Sequence, residues 1–540
     1  MKSAHGAPGI TRVGSIISTK RYFRLLLAAI VLLAALLRIY QLGRESLYFD
    51  ELYTVWAIRL PLGSLMREVP ASGHPPLYYL VAHFWFMLGN SDAWVRSLAW
   101  AAGVGAVGLM YLTGKELVSR KAGLAAAALS AVSPFLVWES RIATDYSWMI
   151  AFAVLSLYML VRSERRGGWL NWTGYVVATA AALLSHYYNI FLIVAEVPFF
   201  LFIHDWKRNR WRWPRAWLIS QASVLAATVL IGIYSSEAIQ IWHGAEVAPG
   251  LSDFVRGITQ VPTVLIRGYI DVPGGHLTNR IIDGILVFTA GLLAVFSRGF
   301  RSRIGWKLPL ALGIFVFITV AGPITVQLFR GDVLTGRYYA VAEPPLLLLA
   351  AIVIVSAPRR IAAVFASVLL AGLLTISIYT VEKVRFSDVR GVLGAVSAQE
   401  KPGDWLLGFP VHHFVVASPH YMSKPLPVAG GNLVPGNSAV FLGPPGKIWH
   451  GYHADANDPG WVTSPFTGQA LAARLNSDLA AAARVWVIAG DGTDMDYVAG
   501  NSVYQGLAGI WTEVESEHIA PFILKLYVRR ATPQPGAAAG

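Results

Sequence analysis

Long apolar runs recur from Leu25 to about Tyr379, each near the length that crosses a bilayer. About twenty helical residues cover roughly 30 Å of hydrocarbon. Inside that hydrocarbon the backbone must satisfy its own polar groups, so such runs fold as helices. Composition agrees: 55% of the 540 residues are hydrophobic and 14% are charged. Mean hydropathy is +0.51. A soluble domain carries about 25% charged residues. The chain reads as a polytopic α-helical membrane protein. Its net charge of +13 lies in short basic clusters between the apolar runs. That is the positive-inside pattern of membrane topology, and no nucleic-acid partner is expected. There is no cysteine, which excludes disulfides, thiolate catalysis and Cys-based zinc sites. The first apolar segment, Leu25 to Gly43, has a basic flank and no small-residue cleavage site, so it reads as an uncleaved anchor.

Lys20, Arg21 and Arg24 place residues 1–24 in the cytoplasm. The first helix, about Leu25 to Tyr40, then leads to the outer side. Pro61, Pro70, Pro75 and Pro76 interrupt the next stretch. Leu52 to Leu60 and Leu77 to Leu88 are read as juxtamembrane helices on the outer surface, because both are short for a span. Later spans alternate so that clusters around Lys115, Arg162, Lys207, Arg298 and Arg359 fall on the inner side. The third span is read outward to about Val137 and the fourth inward from Tyr146. The count is about eleven spans, the last ending near Tyr379. They read as nearly charge-free and show no internal repeat.

From Val381 hydrophobicity drops and Gly, Pro and Asn rise. The expected organisation is a cytoplasmic segment over 1–24, a membrane catalytic domain over 25–380, a small outer α/β domain over 381–531, and a disordered tail over 532–540. Asp404 to Phe409 and Arg484 to Ile488 read as buried strands, Ile523 to Val528 as a late strand, and Val389 to Gln399 as a helix.

Polar residues gather in the outer loops. Asp50, Glu51 and His74 follow the first span. Glu139, Arg141 and Asp145 lie in the loop after the third. His186 and Tyr187 follow the fifth, and Arg337 and Tyr338 precede the tenth. A long loop between the seventh and eighth adds His243, Asp253, Arg256, Arg267 and Asp271. A carboxylate can take a proton from an acceptor hydroxyl, and arginine can hold a phosphate through paired hydrogen bonds. A lipid-phosphate sugar needs both. More ordinary roles stand beside these. Asp50 and Glu51 suit a wet helix start, Asp145 suits a helix cap, and Arg141 and Arg337 suit interfacial anchors. His74 before two prolines suits a turn, and His186 a pocket wall. His412 and His413 are too few for a metal site. No P-loop, dinucleotide, zinc-protease or serine-hydrolase pattern stands where it would matter.

Ser46-Leu47-Tyr48-Phe49-Asp50-Glu51 and Gly73-His74-Pro75-Pro76-Leu77-Tyr78-Tyr79 resemble GT-C membrane glycosyltransferases. The chain looks like the bacterial family 39-type relatives of the protein O-mannosyltransferases and aminoarabinose transferases. The likeness continues through Arg141 to Asp145, Ser185-His186-Tyr187, and Arg337-Tyr338-Tyr339 with Pro344-Pro345, over about 25 to 380. The resemblance implies a polyprenyl-phosphate sugar donor and transfer on the outer face. It matches Asp50 to the catalytic acid of the first loop. Glu51 matches the second acid, for orienting a loop, a metal or the acceptor. Asp145 matches an acidic position tied to donor or metal binding. Arg141 and Arg337 would bind the donor phosphate, and His74, Glu139, His186, Tyr187 and Tyr338 would line the pocket. A divalent Mg or Mn ion on Asp50, Glu51 and Asp145 is the cofactor it allows. Two departures stand out: Gly73-His74 replaces a Glu-Lys pair, and the second loop has one Asp where relatives carry two.

The expected activity is an inverting transfer of a sugar to an envelope lipid, glycan or protein. The setting is the bacterial inner membrane, with the N-terminus inside and the C-terminal domain outside. A lipid-linked glycan flippase would place charges along a pathway through the spans, often in repeated halves. A non-catalytic polysaccharide-assembly protein is the third alternative.

Overall fold

Seven described helical segments are long and apolar enough to cross a membrane: Arg21–Ile39, Asp92–Leu117, Tyr146–Arg166, Arg215–Tyr234, Lys307–Val326, Gly336–Ser356 and Arg359–Lys383. The chain is an integral membrane protein. The computed structural model describes residues 9–206, 215–235, 261, 263–265, 305–330, 336–383, 388–408, 411–434, 437–443, 461–463, 479, 482–490, 507, 511–519 and 522–530. The eighth expected span and His243, Asp253, Arg256, Arg267 and Asp271 of the loop before it lie outside those residues. So do the basic clusters at Lys207 and Arg298 and the side chains of His412 and His413. Two compact units are present. One comprises Met1–Leu42 and Gly73–Val384, the other Gly43–Ser72 and Arg385–Gly540. Residues 43–72 therefore group with the C-terminal chain, whereas the sequence reading runs them with 25–380.

The first unit is helical. The Asp92–Leu117 and Arg120–Val132 helices meet on glycine. A Cβ at Gly123 would lie 2.4 Å from the carbonyl oxygen of Tyr111, so only glycine permits this approach. The expected third span is not continuous. It breaks at Ser133, where Pro134 cannot continue the hydrogen-bond ladder and begins the short Pro134–Glu139 helix. Ser133 caps that helix by accepting from the amide of Leu136 at 3.3 Å. The break sets the course of the loop that carries Glu139 and Asp145.

Burial in this unit is not purely apolar, although the candidate spans carry few charged residues. Arg38, Glu196 and Glu343 are buried within helices. Each is answered by neighbours, as a buried polar group requires. Glu196 accepts from Ser156 at 2.7 Å and from the Tyr175 hydroxyl at 3.0 Å. Glu343 accepts from Ser133 at 2.9 Å. Arg38 donates to the carbonyls of Ser130 at 2.9 Å and Ala131 at 2.8 Å, and to Ser140 at 3.2 Å.

In the second unit, three helices precede or flank a seven-stranded sheet: Phe49–Arg59, Val389–Gln399 and Val411–Tyr421. A fourth, Leu62–Ala71, escaped the sequence reading because Pro61 and Pro70 suggested interruption. Pro61 sits at its N-cap, outside the hydrogen-bonded ladder, Pro70 falls in its last turn, where the missing donor helps end the helix, and Leu65 and Val69 are fully buried. The strands are β1 Trp405–Gly408, β2 Val428–Val434, β3 Asn437–Gly443, β4 Trp461–Thr463, β5 Arg484–Gly490, β6 Trp511–Ile519 and β7 Phe522–Arg529. Their order is β4-β3-β2-β1-β5-β7-β6. β1 is parallel to β2 and to β5, and the remaining pairs are antiparallel. The parallel β1–β2 pair requires a crossover, and Val411–Tyr421 supplies it. Asp404 secures the start of β1 by accepting from Arg484 at 2.9 and 2.7 Å and from the Trp486 indole at 3.0 Å.

Candidate functional site

Seven of the expected site residues come together in the first unit. Gly73 adopts φ 87°, a left-handed turn that favours glycine. His74 follows it, and Pro75 and Pro76 then open the Pro76–Phe86 helix. His74 Nδ1 lies 3.5 Å from Asp145 Oδ2, with side-chain exposures of 34% and 1%. That separation is long for a hydrogen bond, so the pairing is chiefly electrostatic. Asp145 is the N-cap residue of Tyr146–Arg166, yet its side chain makes no capping bond. The carboxylate is turned to other work.

Burial alone would raise the Asp145 pKa, but its contact with His74, and the His186 and His74 rings when protonated, hold it below the usual carboxylate value. His186 behaves oppositely. Burial pushes its pKa down to about 4, against the upward pull of Asp145, so its ring is neutral at pH 7. That ring is 4.9 Å from Tyr146, 5.6 Å from Tyr188 and 6.3 Å from Tyr338. Its Nδ1 accepts from the amide of Tyr188 at 3.2 Å, which fixes the tautomer with the proton on Nε2. Tyr338 stacks on Tyr188 at 4.5 Å, and the Tyr187 hydroxyl donates to the carbonyl of His74 at 3.3 Å.

Arg337 closes the other side of Tyr146. Its guanidinium lies 5.4 Å from the Tyr146 ring centre, a cation–π contact. Its Nε is 3.5 Å from Glu139 Oε1, with exposures of 14% and 0%. Ser147 Oγ donates to the Glu139 carbonyl at 2.7 Å, tying the loop to the next helix. The sequence reading missed Tyr146, which bridges the histidine and arginine sides. Its position beside Asp145 was the available signal.

Arg141 is placed differently. Its Nη1 donates to the carbonyls of Arg38 at 2.8 Å and Tyr40 at 2.7 Å. It closes the C-terminus of the first helix, where unsatisfied carbonyls favour a cation.

Asp50 and Glu51 belong to the second unit. They occupy the first turn of Phe49–Arg59. Glu51 is fully buried and accepts from the amide of Tyr48 at 3.1 Å, one half of a capping box. Asp50 is half-buried and accepts a short hydrogen bond from the Tyr48 hydroxyl. Thr54 donates to the Asp50 carbonyl at 3.0 Å. Tyr48, also missed, thus meets both acids. Among the described residues, no group of three or more His, Cys, Asp or Glu side chains is arranged to hold a metal ion. These residues do not supply the donor set of an Mg or Mn site.

Residues 73–233 match the model of a family described as dolichyl-phosphate-mannose-protein mannosyltransferase. No curated protein matches. Among solved structures, apo ArnT from Cupriavidus metallidurans superposes with a TM-score of 0.59 at 11% identity, covering 94% of this chain and 98% of that one. ArnT has also been solved bound to undecaprenyl phosphate, with a TM-score of 0.54 at 10% identity over 93% and 97%. AglB, the oligosaccharyltransferase of the archaeon Archaeoglobus fulgidus, was solved with an inhibitory peptide and a dolichol-phosphate. It gives a TM-score of 0.54 at 11% identity over 94% of this chain and 74% of that one. The mycobacterial arabinofuranosyltransferase AftD gives 0.51 at 15% identity over 95% and 40%. The family model and these structures are all of GT-C glycosyltransferases.

Proposed function

We propose that this GT-C-fold chain is an inverting glycosyltransferase. It takes a sugar from a polyprenyl-phosphate donor to an envelope lipid, glycan or protein on the outer face of a bacterial inner membrane. The observation that carries the reading is Arg337. It is a nearly buried cation fixed between Glu139 and the Tyr146 ring, beside the His74–Asp145 pair. A rigid planar donor in a water-poor place suits a lipid phosphate, whose charge grows as it leaves.

In the proposed reaction Asp50 takes the proton of the acceptor hydroxyl. The acceptor oxygen bonds to the sugar C1 from the face opposite the phosphate. The C1–O bond to phosphate breaks, and its electron pair stays on the leaving lipid phosphate. Arg337 stabilises that charge. Glu139 and Tyr146 hold the guanidinium in place, and Asp145 orients His74. Glu51 sets the helix end that presents Asp50. Arg141, which donates to the carbonyls of Arg38 and Tyr40, supports the loop on the donor side.

The proposal includes eleven spans with the C-terminal domain outside, supported by the basic clusters. Reporter fusions after Tyr379 should be active outside, and fusions after Arg166 should not; the reverse pattern would sink the orientation. The chemical test is mass spectrometry of lipid-linked and envelope glycans with and without the gene. Loss of one glycan with accumulation of its polyprenyl-phosphate sugar is expected, and identical profiles would overturn the reading. The anomeric configuration of the product, by NMR, decides whether the transfer inverts.

A further inference from the structure

The sequence leaves residues 385–540 without a role, but they grip the segment that carries Asp50 at both of its ends. At the front, Ser46 Oγ donates to Asp388 Oδ1 at 2.9 Å and accepts from the amide of Arg390 at 3.1 Å. Asp388 Oδ1 also accepts from the amide of Gly391 at 2.9 Å, so one carboxylate caps the Val389–Gln399 helix and holds Ser46. The Arg390 side chain donates to the carbonyls of Gly43 and Arg44. The amide of Leu47 donates to the Tyr421 hydroxyl at 2.7 Å. At the far end, Arg59 donates to the carbonyl of Pro419 at 2.7 Å and lies 3.1 Å from His420 Nδ1. Between these anchors Leu52, Val55 and Ile58 of Phe49–Arg59 are buried, and this helix packs on Val411–Tyr421.

Asp50 sits inside this mount, three residues after Leu47. A helix fixed at its entry and its exit, with its apolar face buried, has no independent freedom to swing. We infer that Asp388, Arg390 and Tyr421 are positioning residues for Asp50, and that the C-terminal unit serves to hold that helix. The inference takes the catalytic role of Asp50 from the function proposed above. Tyr421 touches the backbone one residue before Tyr48, which itself bonds to both acids. Loss of the Tyr421 hydroxyl would therefore loosen the helix end while leaving every carboxylate in the chain.

The test uses the full chain in detergent. Hydrogen exchange is read at Leu47 and over 48–54, with 146–166 as the internal control. Tyr421→Phe should speed exchange at Leu47 by about tenfold, the effect of one lost hydrogen bond, and leave the control unchanged. Ser46→Ala, which keeps the Asp388 cap on Gly391, is the second variant should the first fold poorly. Unchanged exchange at Leu47 in both overturns the inference alone.

Turnover of undecaprenyl-phosphate mannose, the probe donor, supplies the second arm. Tyr421→Phe should lower kcat by about five- to tenfold without changing the donor KM, and that loss should vanish in an Asp50→Asn background. Equal fold losses in both backgrounds would show a general structural role and overturn the assignment to Asp50. Asp50→Asn turning over the probe at the wild-type rate would overturn the function proposed above, whatever the exchange arm shows.

Discussion

The chain builds its two acidic sites in opposite ways. Glu139 and Asp145 are only 0% and 1% exposed, and cationic or basic side chains face them: Arg337 for one, His74 for the other. Asp50 and Glu51 stand at a helix start and meet a tyrosine, through its amide and its hydroxyl. The difference separates their chemistry. A carboxylate held below its usual pKa by histidines is a poor proton acceptor, and Asp145 is such a group. It is suited to orienting His74. A half-buried acid on a helix end can meet an incoming hydroxyl, which favours Asp50 as the base.

The sharpest way to break this contrast is to neutralise each acid in turn. Asp50→Asn should lower turnover of the probe donor by about 10²- to 10⁴-fold, the usual worth of general-base assistance. Asp145→Asn should cost less and leave the acceptor dependence intact. A larger loss at Asp145 with Asp50→Asn near the wild-type rate would exchange their roles.

Acid should expose the histidine side of the buried site. The His186 pKa falls from 6.5 to about 4, so the unfolded chain binds a proton that the folded chain refuses. Its contribution is full above pH 6.5 and is lost as pH falls toward 4, a change of about 3 kcal/mol. Thermal unfolding in detergent across that window should show the loss. His186→Gln should flatten it, and an undiminished slope in that variant would assign it elsewhere.

A smaller effect should mark the arginine. Arg337→Lys keeps the charge but not the planar fork, and the donor KM should rise by about tenfold with kcat less affected. Unaltered donor kinetics in Arg337→Ala would reduce the residue to an interfacial anchor. Smallest of all should be Glu51→Gln. The amide keeps an acceptor for Tyr48, so stability should change by less than about 1 kcal/mol and turnover by less than about threefold. A hundredfold loss would return a metal to the reckoning, and chelation by EDTA would then check it.

Local pattern was legible in the sequence, and long-range closure was not. The Tyr146–Arg166 and Val389–Gln399 helices and strands β1, β5 and β7 follow from apolar periodicity and stand near their expected bounds. His74, Asp145, His186 and Arg337 could be nominated because charge and aromatics are scarce in such a chain and cluster between spans. What escaped depends on partners hundreds of residues away. Ser46 meets Asp388 across 342 positions, and Leu47 meets Tyr421 across 374. No spacing rule connects such pairs, so the grouping of 43–72 with the C-terminal chain had no local signature. Arg141 shows a related limit. An arginine beside a membrane helix looks the same in sequence whether it binds a ligand or closes the helix across 103 positions.

The clasp between the first helix and the loop after the Ser133 break also bears on how this protein is made. Arg38 is fully buried, and its hydroxyl partner Ser140 follows it by 102 residues. At about 5–20 residues per second, synthesis needs roughly 5–20 s to deliver that stretch. Through that interval the nascent first helix carries an arginine whose partners Ser130, Ala131 and Ser140 do not yet exist, and only the Ala34 carbonyl of its own helix can receive it. A cation near the helix end can reach the headgroups meanwhile. The full set of contacts that buries Arg38 can close only once Ser130, Ala131 and Ser140 have been made.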